Sequence, residues 1–95
     1  MIRVDVHFFA NVRVLTNEDR ITISLPEKSI VLDLLQTLVR RYSDSFRDFV
    51  FSDEDHLNEY VVIIKNGRGV GILDGLDTLL YDGDLIAIMP AVGGG

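Results

Sequence analysis

The chain closes on Pro90-Ala91-Val92-Gly93-Gly94-Gly95, a stretch whose side chains offer no acid, base, nucleophile or metal ligand. The group left with chemistry there is the α-carboxylate of Gly95. A carboxylate is a weak acyl donor because direct attack would have to expel oxide; it becomes a donor once its oxygen is joined to a good leaving group. Glycine suits a terminus that must enter an enzyme's active site, since without Cβ it has a narrow profile and wide φ/ψ freedom. Fully extended, residues 91–95 reach roughly 17 Å. Pro90 fixes φ where this tail leaves the preceding apolar stretch and directs it outward. Gly95 is therefore the candidate reactive residue, Gly93 and Gly94 the portion that threads, and Met89, Pro90, Ala91 and Val92 an apolar approach for a partner's surface. Two plainer readings compete: a frayed glycine end, and Met89 and Val92 as ordinary strand-end packing.

Other constellations carry less chemistry. Gly67-Arg68-Gly69-Val70-Gly71 has the glycine count of a phosphate loop but lacks the Gly-Lys-Ser/Thr ending and a following helix, so it reads as a hairpin. Asp53, Glu54, Asp55 and His56 lack the interleaved spacing of a calcium loop and read as a solvated loop, so no metal site is assigned. His7 and His56 are far apart in sequence and have no serine or carboxylate motif beside them. Asp82 and Asp84 flank a turn glycine, and turn formation accounts for them.

Composition narrows the classes further. Ninety-five residues make one domain with one core, and 47% hydrophobic against 25% charged residues fits a globular chain. The absence of cysteine removes disulfides, thiolate zinc, cysteine-ligated iron–sulfur clusters and a thiol nucleophile. A net charge of −6, with basic residues scattered, argues against nucleic acid and for a protein partner with a basic surface. Arg3 and Asp5 interrupt the apolar N-terminus and no apolar run is long enough for a bilayer, so a cytoplasmic protein with no membrane partner is expected.

The elements that must position the tail follow from periodicity. Ile2, Val4, Val6 and Phe8 alternate with Arg3, Asp5 and His7, a half-buried strand. The polar stretch 11–20 reads as a connection with its turn at Thr16-Asn17-Glu18-Asp19, and Ile21, Ile23 and Leu25 as a second strand stopped by Pro26. From Ile30 the period becomes about 3.6: Val31, Leu34, Leu35, Leu38 and Tyr42 form one stripe behind a Ser29 N-cap, and Asp33 and Arg40-Arg41 complement the helix dipole. Phe46, Phe49, Val50 and Phe51 are expected in a short helical turn under that helix. Residues 60–65 read as a strand, Asn66-Gly67 as a tight hairpin turn, residues 68–72 as a short edge strand, and residues 85–89 as a central strand covered at least partly on both sides. One helix on a mixed sheet makes an α+β domain.

With these elements in place, the chain resembles the ubiquitin-like sulfur carrier family, most closely the small subunit of molybdopterin synthase and more distantly the thiamin-pathway sulfur carrier. The resemblance rests on Phe8-Phe9-Ala10-Asn11-Val12-Arg13, Asn66-Gly67-Arg68, Asp82-Gly83-Asp84 and the ending Met89-Pro90-Ala91-Val92-Gly93-Gly94-Gly95. It departs from the family at Ala91, where a second proline is common, and at Gly93, where a small non-glycine residue is usual. The resemblance implies a β-grasp domain over residues 1–90, with a mixed sheet of four to five strands and one main helix on one face, and a flexible tail over residues 91–95. It also implies that an adenylating enzyme of the ubiquitin-activating type adenylates Gly95 with ATP. A sulfur donor protein then makes it a thiocarboxylate, and the large subunit of molybdopterin synthase presents the acceptor in molybdenum or tungsten cofactor synthesis. On that pattern the chain binds no cofactor and is a protein cosubstrate, not a catalyst alone. The alternatives are a ubiquitin-like modifier conjugated to lysines through the same glycine, and a non-covalent binding module.

Overall fold

The computed structural model describes residues 1–53 and 56–91. Its centre is a five-stranded sheet built from β1 (Ile2–Phe8), β2 (Arg20–Leu25), β3 (Val61–Lys65), β4 (Arg68–Gly69) and β5 (Leu85–Pro90), in the order β2-β1-β5-β3-β4. β5 runs parallel to β1 and antiparallel to β3, while β1–β2 and β3–β4 are antiparallel. The sequence-derived α+β architecture with a mixed sheet is the one observed.

Period-two patterning turns one face of this sheet inward. Ile2, Val4, Val6 and Phe8 of β1, Ile23 and Leu25 of β2, Val61 and Ile63 of β3, and Ile86 and Ile88 of β5 are all buried. Helix α2 (Val31–Arg41) packs Val31, Leu34, Leu35 and Leu38 into the same core. Each of these side chains is fully buried, and truncating one to alanine costs about 2–5 kcal/mol in comparable cores. The helix starts one residue later than expected. Ser29 Oγ donates to the Pro26 carbonyl at 2.6 Å, closing the preceding turn, so Ser29 is not the N-cap. Ile30 takes that position, and its N–H donates to the Asp33 carboxylate at 2.8 Å.

A second difference lies at residues 11–20, where α1 (Asn11–Thr16) replaces the expected irregular connection. Six residues give too few turns for a periodic signal, but Val12 and Thr16 lie four apart and both are buried. Asn17 ends the helix at φ 58°, with its N–H on the Arg13 carbonyl. The third helix, α3 (Asp44–Val50), buries Phe46 and Val50, and Phe51 follows it into the core. Phe8, Tyr42 and Phe46 meet edge to face or tilted, tying β1, α2 and α3 together.

The hairpin between β3 and β4 has the predicted turn, with Asn66 and Gly67 at φ 50° and 84°. The returning strand is shorter than expected. Residues Val70–Ile72 form a 3₁₀ turn that buries Val70 and leaves Ile72 exposed. A strand would have set these two residues on one face, and the flanking glycines weaken strand pairing.

Tyr42 hydroxyl donates to Glu18 Oε1 at 3.2 Å, bracing the end of α2 against the α1–β2 connection. Burial, with the nearby Glu18 charge adding to it, raises the Tyr42 pKa above its ordinary 10.0 despite the opposing pull of Arg41. Below pH 10 both the folded and unfolded phenols keep their proton. Above it the unfolded chain ionises first, so this contribution to stability declines as pH rises through the folded value. In urea titrations, Tyr42→Phe is expected to lessen the loss of stability above pH 10, and an unchanged alkaline slope would contradict this assignment.

Candidate functional site

The tail leaves from the end of β5, the strand held on both sides. Asp5 N–H bonds the Asp84 carbonyl, Phe9 N–H the Ile88 carbonyl at 3.1 Å, and Ala91 N–H the Tyr60 carbonyl at 2.8 Å. Pro90 sits in this ladder opposite Val61. Backbone groups of successive residues point to alternate sides, so the Pro90 nitrogen faces β1, which has already ended at Phe8. Proline therefore ends the strand without depriving a neighbour of a donor. Met89, Pro90 and Ala91 are half-buried. The calls on Val92, Gly93, Gly94 and Gly95 lie outside the described residues.

The other end of β5 is fixed by Asp82 and Asp84, as their turn reading requires. Asp84, itself buried, accepts from Tyr81 N–H at 2.7 Å and Asn66 Nδ2 at 2.9 Å, with Lys65 Nζ at 3.7 Å. Asn66 Oδ1 in turn accepts Leu85 N–H at 2.8 Å, and Asp82 Oδ1 accepts Arg3 N–H at 2.8 Å. The hairpin turn, the β5 start and the β1 start are thus joined by one set of polar groups.

β5 is covered fully on one face and partly on the other, in line with the sequence expectation. Ile86 and Ile88 are buried, whereas Leu85 is exposed and Ala87 and Met89 are half-buried on the opposite side of the sheet. Register sets Ala87 and Met89 beside Ile64 and Val62 of β3, which are also half-buried. Phe9 follows the inward Phe8 and Tyr60 precedes the inward Val61, so strand parity turns both toward this open face. They are 40% and 64% exposed, and they flank the root of the tail from the β1 and β3 sides. The remaining half of the face, Arg3, Asp5 and His7 of β1 with Thr22 and Ser24 of β2, is polar, with Thr22 Oγ1 on Asp5 Oδ1 at 2.8 Å.

The open face is thus divided into an apolar half on β5 and β3 and a polar half on β1 and β2. The sequence offers Met89, Pro90 and Ala91 as a partner approach and gives no such sign for Phe9, Tyr60, Val62, Ile64 and Leu85, which border the same exit. The signal these do carry is parity: each is one residue out of step with a buried neighbour. A wider groove lies between α2 and α3, lined by Gln36, Val39, Arg40, Arg47, Asp48 and Phe51, but it opens on the helical side of the sheet. Among the described residues, no cluster of three or more histidine, aspartate and glutamate side chains could hold a metal ion, and no helix is long and apolar enough to cross a membrane. Asp53 and His56 pair at 2.7 Å on the surface, while Glu54 and Asp55 lie outside the described residues.

A five-stranded mixed sheet with α2 across one face and a C-terminal strand at its centre defines a ubiquitin-like β-grasp protein. Residues 6–95 match the model of the ThiS family, and the chain belongs to that family of ubiquitin-like sulfur carriers and modifiers. It is 32% identical to small archaeal modifier protein 3 of Haloferax volcanii, over 99% of this chain and 100% of the relative. It is 33% identical to the molybdopterin synthase sulfur carrier subunit of Drosophila erecta, over 100% of this chain and 93% of the relative. The solution structure of small archaeal modifier protein 1 from Methanosarcina acetivorans superposes with a TM-score of 0.85 at 35% identity, covering 100% of this chain and 98% of that one.

Replacing Asp84 by alanine leaves the Tyr81 N–H and the Asn66 amide without their acceptor. Asp84→Ala is expected to lower unfolding stability by about 2–3 kcal/mol, read as the urea midpoint at unchanged m-value. A loss below about 0.5 kcal/mol would show that these groups do not hold the start of β5.

Proposed function

We propose that this chain is a sulfur carrier of the molybdopterin synthase small-subunit type, with the carboxylate of Gly95 as its working group. The observation that carries this reading is a convergence at one end of β5. The central strand is fixed up to Ala91, Val92 and three glycines come after it in the sequence, and an apolar half-face borders the point of exit. The family match over residues 6–95 supports it.

The chemistry follows from the carboxylate. Its oxygen attacks the α-phosphorus of ATP held by an adenylating partner, pyrophosphate leaves, and an acyl-adenylate forms. Hydrosulfide released from a donor protein then attacks the carbonyl carbon, loses its proton and displaces AMP to give a thiocarboxylate, which passes its sulfur to a pterin precursor on the large synthase subunit. ATP and the acid–base groups belong to the partners. This chain contributes a thin reactive end, a fixed strand that aims it, and an apolar surface flanked by Phe9 and Tyr60 on which each partner can seat. Aromatic anchors at the centre of an interface often dominate its energy.

The test is intact mass after incubation with the adenylating enzyme, ATP and a sulfur donor. A gain equal to exchange of one oxygen for sulfur is expected, and its absence under conditions that charge a known carrier would overturn the reading. Tyr60→Ala should weaken binding to the adenylating enzyme about tenfold, roughly 1.4 kcal/mol, while changing unfolding stability by less than about 0.5 kcal/mol. Unaltered affinity in calorimetric titration would remove Tyr60 from the docking surface.

The modifier reading is favoured by the likeness to the Haloferax volcanii protein, whose name describes it as a modifier. In that case the activated Gly95 is transferred to lysines of other proteins. Arg68 is the last basic residue, so trypsin would leave residues 69–95 on a modified lysine instead of a short glycine remnant. Cyanogen bromide, cutting after Met89, would leave residues 90–95.

A further inference from the structure

An open sheet leaves a row of unpaired backbone groups at each of its two edges, and the edges of this sheet are treated differently. β4 is two residues long and runs directly into a 3₁₀ turn, so it presents little edge. β2 is six residues long, its register against β1 is unbroken, and Pro26 comes only after it. A proline, a bulge or a covering element usually closes such an edge. Among the described residues β2 has none of these.

The free groups follow from the register. Phe8 N–H donates to the Asp19 carbonyl at 2.8 Å, and the same β1–β2 pairing continues through Ile21, Ile23 and Leu25. Bonded and non-bonded pairs alternate along an antiparallel ladder. The N–H and C=O groups of Arg20, Thr22 and Ser24 therefore point away from β1, and among the described residues nothing pairs with them.

Positive charge gathers along the same edge, although the chain as a whole carries −6. Arg13, Arg41, Arg47 and Lys65 are paired with carboxylates. Of the five other lysines and arginines in the chain, Arg68 lies on β4 and the rest border β2. Arg20 opens the strand, Arg3 stands opposite Ser24, Lys28 is on the following turn, and Arg40 faces that turn from α2. Asp5 is engaged by Thr22 Oγ1, Asp33 by Ile30 N–H, and Glu18 by Tyr42 and Arg41. Glu27 is the carboxylate in this region that has no partner among the described residues. An open depression of about 360 Å³ lies on the outward side of β2, lined by Asp5, His7, Arg20 and Thr22. A second, of about 390 Å³, lies on the helical side, lined by Leu25, Pro26, Lys28, Thr37 and Arg40.

We propose that the β2 edge is a docking site for an extended acidic segment of a partner protein, which adds to the sheet as a sixth strand. Backbone hydrogen bonds to Thr22 and Ser24 hold the segment, and its side chains alternate between the two depressions. Those on the helical side rest on the half-buried Ile21 and beside Leu25 and Pro26. Acidic side chains meet Arg20 at one end of the strand and Lys28 and Arg40 at the other, which sets the register and rejects basic segments. A second copy of this chain is a poor occupant. Pairing β2 with itself about Thr22 would bring Arg20 of each copy next to Ser24 and, one strand further, Arg3 of the other, and would join two chains of like net charge. β1 separates β2 from β5, so the segment and an enzyme seated at the tail root can be bound together.

The experiment titrates the isotope-labelled full chain with a short peptide of alternating glutamate and valine, following backbone amide shifts and hydrogen exchange by NMR. A peptide of alternating lysine and valine is the control. Saturable shifts along β2 are expected, with exchange of the Thr22 and Ser24 amides slowed about tenfold and the lysine peptide binding at least about tenfold more weakly. Arg20→Glu should weaken binding about fivefold at an unchanged urea midpoint. Thr22→Pro, which deletes one edge donor, should abolish binding while circular dichroism shows the fold retained. Equal binding of the two peptides, an unaltered affinity in Arg20→Glu, or no shift at millimolar peptide would overturn the proposal. So would shifts confined to Tyr60, Val62 and Met89, which would place the peptide on the apolar half-face. Slowed exchange at Thr22 and Ser24 that depends on protein concentration without peptide would give the edge to a second copy and overturn the acidic segment as its occupant.

Discussion

The pairing of β5 between β1 and β3 is the constraint on which the rest of the molecule depends. It joins the two halves of the chain, because the last strand must insert beside the first and next to the hairpin formed in between. A parallel β1–β5 pair cannot be closed by a short turn, and here nearly the whole chain serves as its crossover. The strand is anchored at its start by Asp84 and Asn66 and at its finish by the Ala91–Tyr60 hydrogen bond. The tail therefore begins from a point fixed by backbone hydrogen bonds in the middle of the sheet and not from a loose edge. On the proposed function, a terminus so mounted is aimed by docking the domain.

The sheet's two faces divide the labour. The inward face is sealed by α2 and its neighbours, and its alternating branched side chains supply the core. Among the described residues the outward face is apolar on β5 and β3, beside the β5 end, and polar on β1 and β2. On the proposed function, the apolar surface beside the β5 end seats an enzyme, since burial holds while charge steers. The net charge of −6 suits partners with basic docking surfaces.

Much of this was legible in the sequence where local patterning and tertiary structure agree. Helix α2 showed itself through a clean 3.6-residue stripe, β1 and β2 through alternation, and the β3–β4 turn through Asn66-Gly67, whose positive φ values the chain adopts. Helix α1 was hidden because six residues with two buried positions leave no periodic trace. Residues 85–89 were legible as a strand at least partly covered on both sides, which the half-buried Ala87 and Met89 match, but not in how much of the second face stays open. An uninterrupted apolar run has the same appearance whether both faces are covered by the same molecule or one awaits a partner, and only the placement of the helices decides. Gly95 is a proposal from composition, since no side chain near it offers chemistry, and it lies outside the described residues. Phe9 and Tyr60 carry no such signal, because their meaning comes from the strand register that sets them on either side of the β5 end.

The account's central claim is that the Gly95 carboxylate is the group a partner enzyme activates. ATP–pyrophosphate exchange catalysed by the adenylating enzyme tests this most directly, comparing the full chain with one lacking Gly94 and Gly95. Exchange that depends on the full chain and vanishes on truncation is the predicted result; equal exchange with both chains, or none with either, would contradict it.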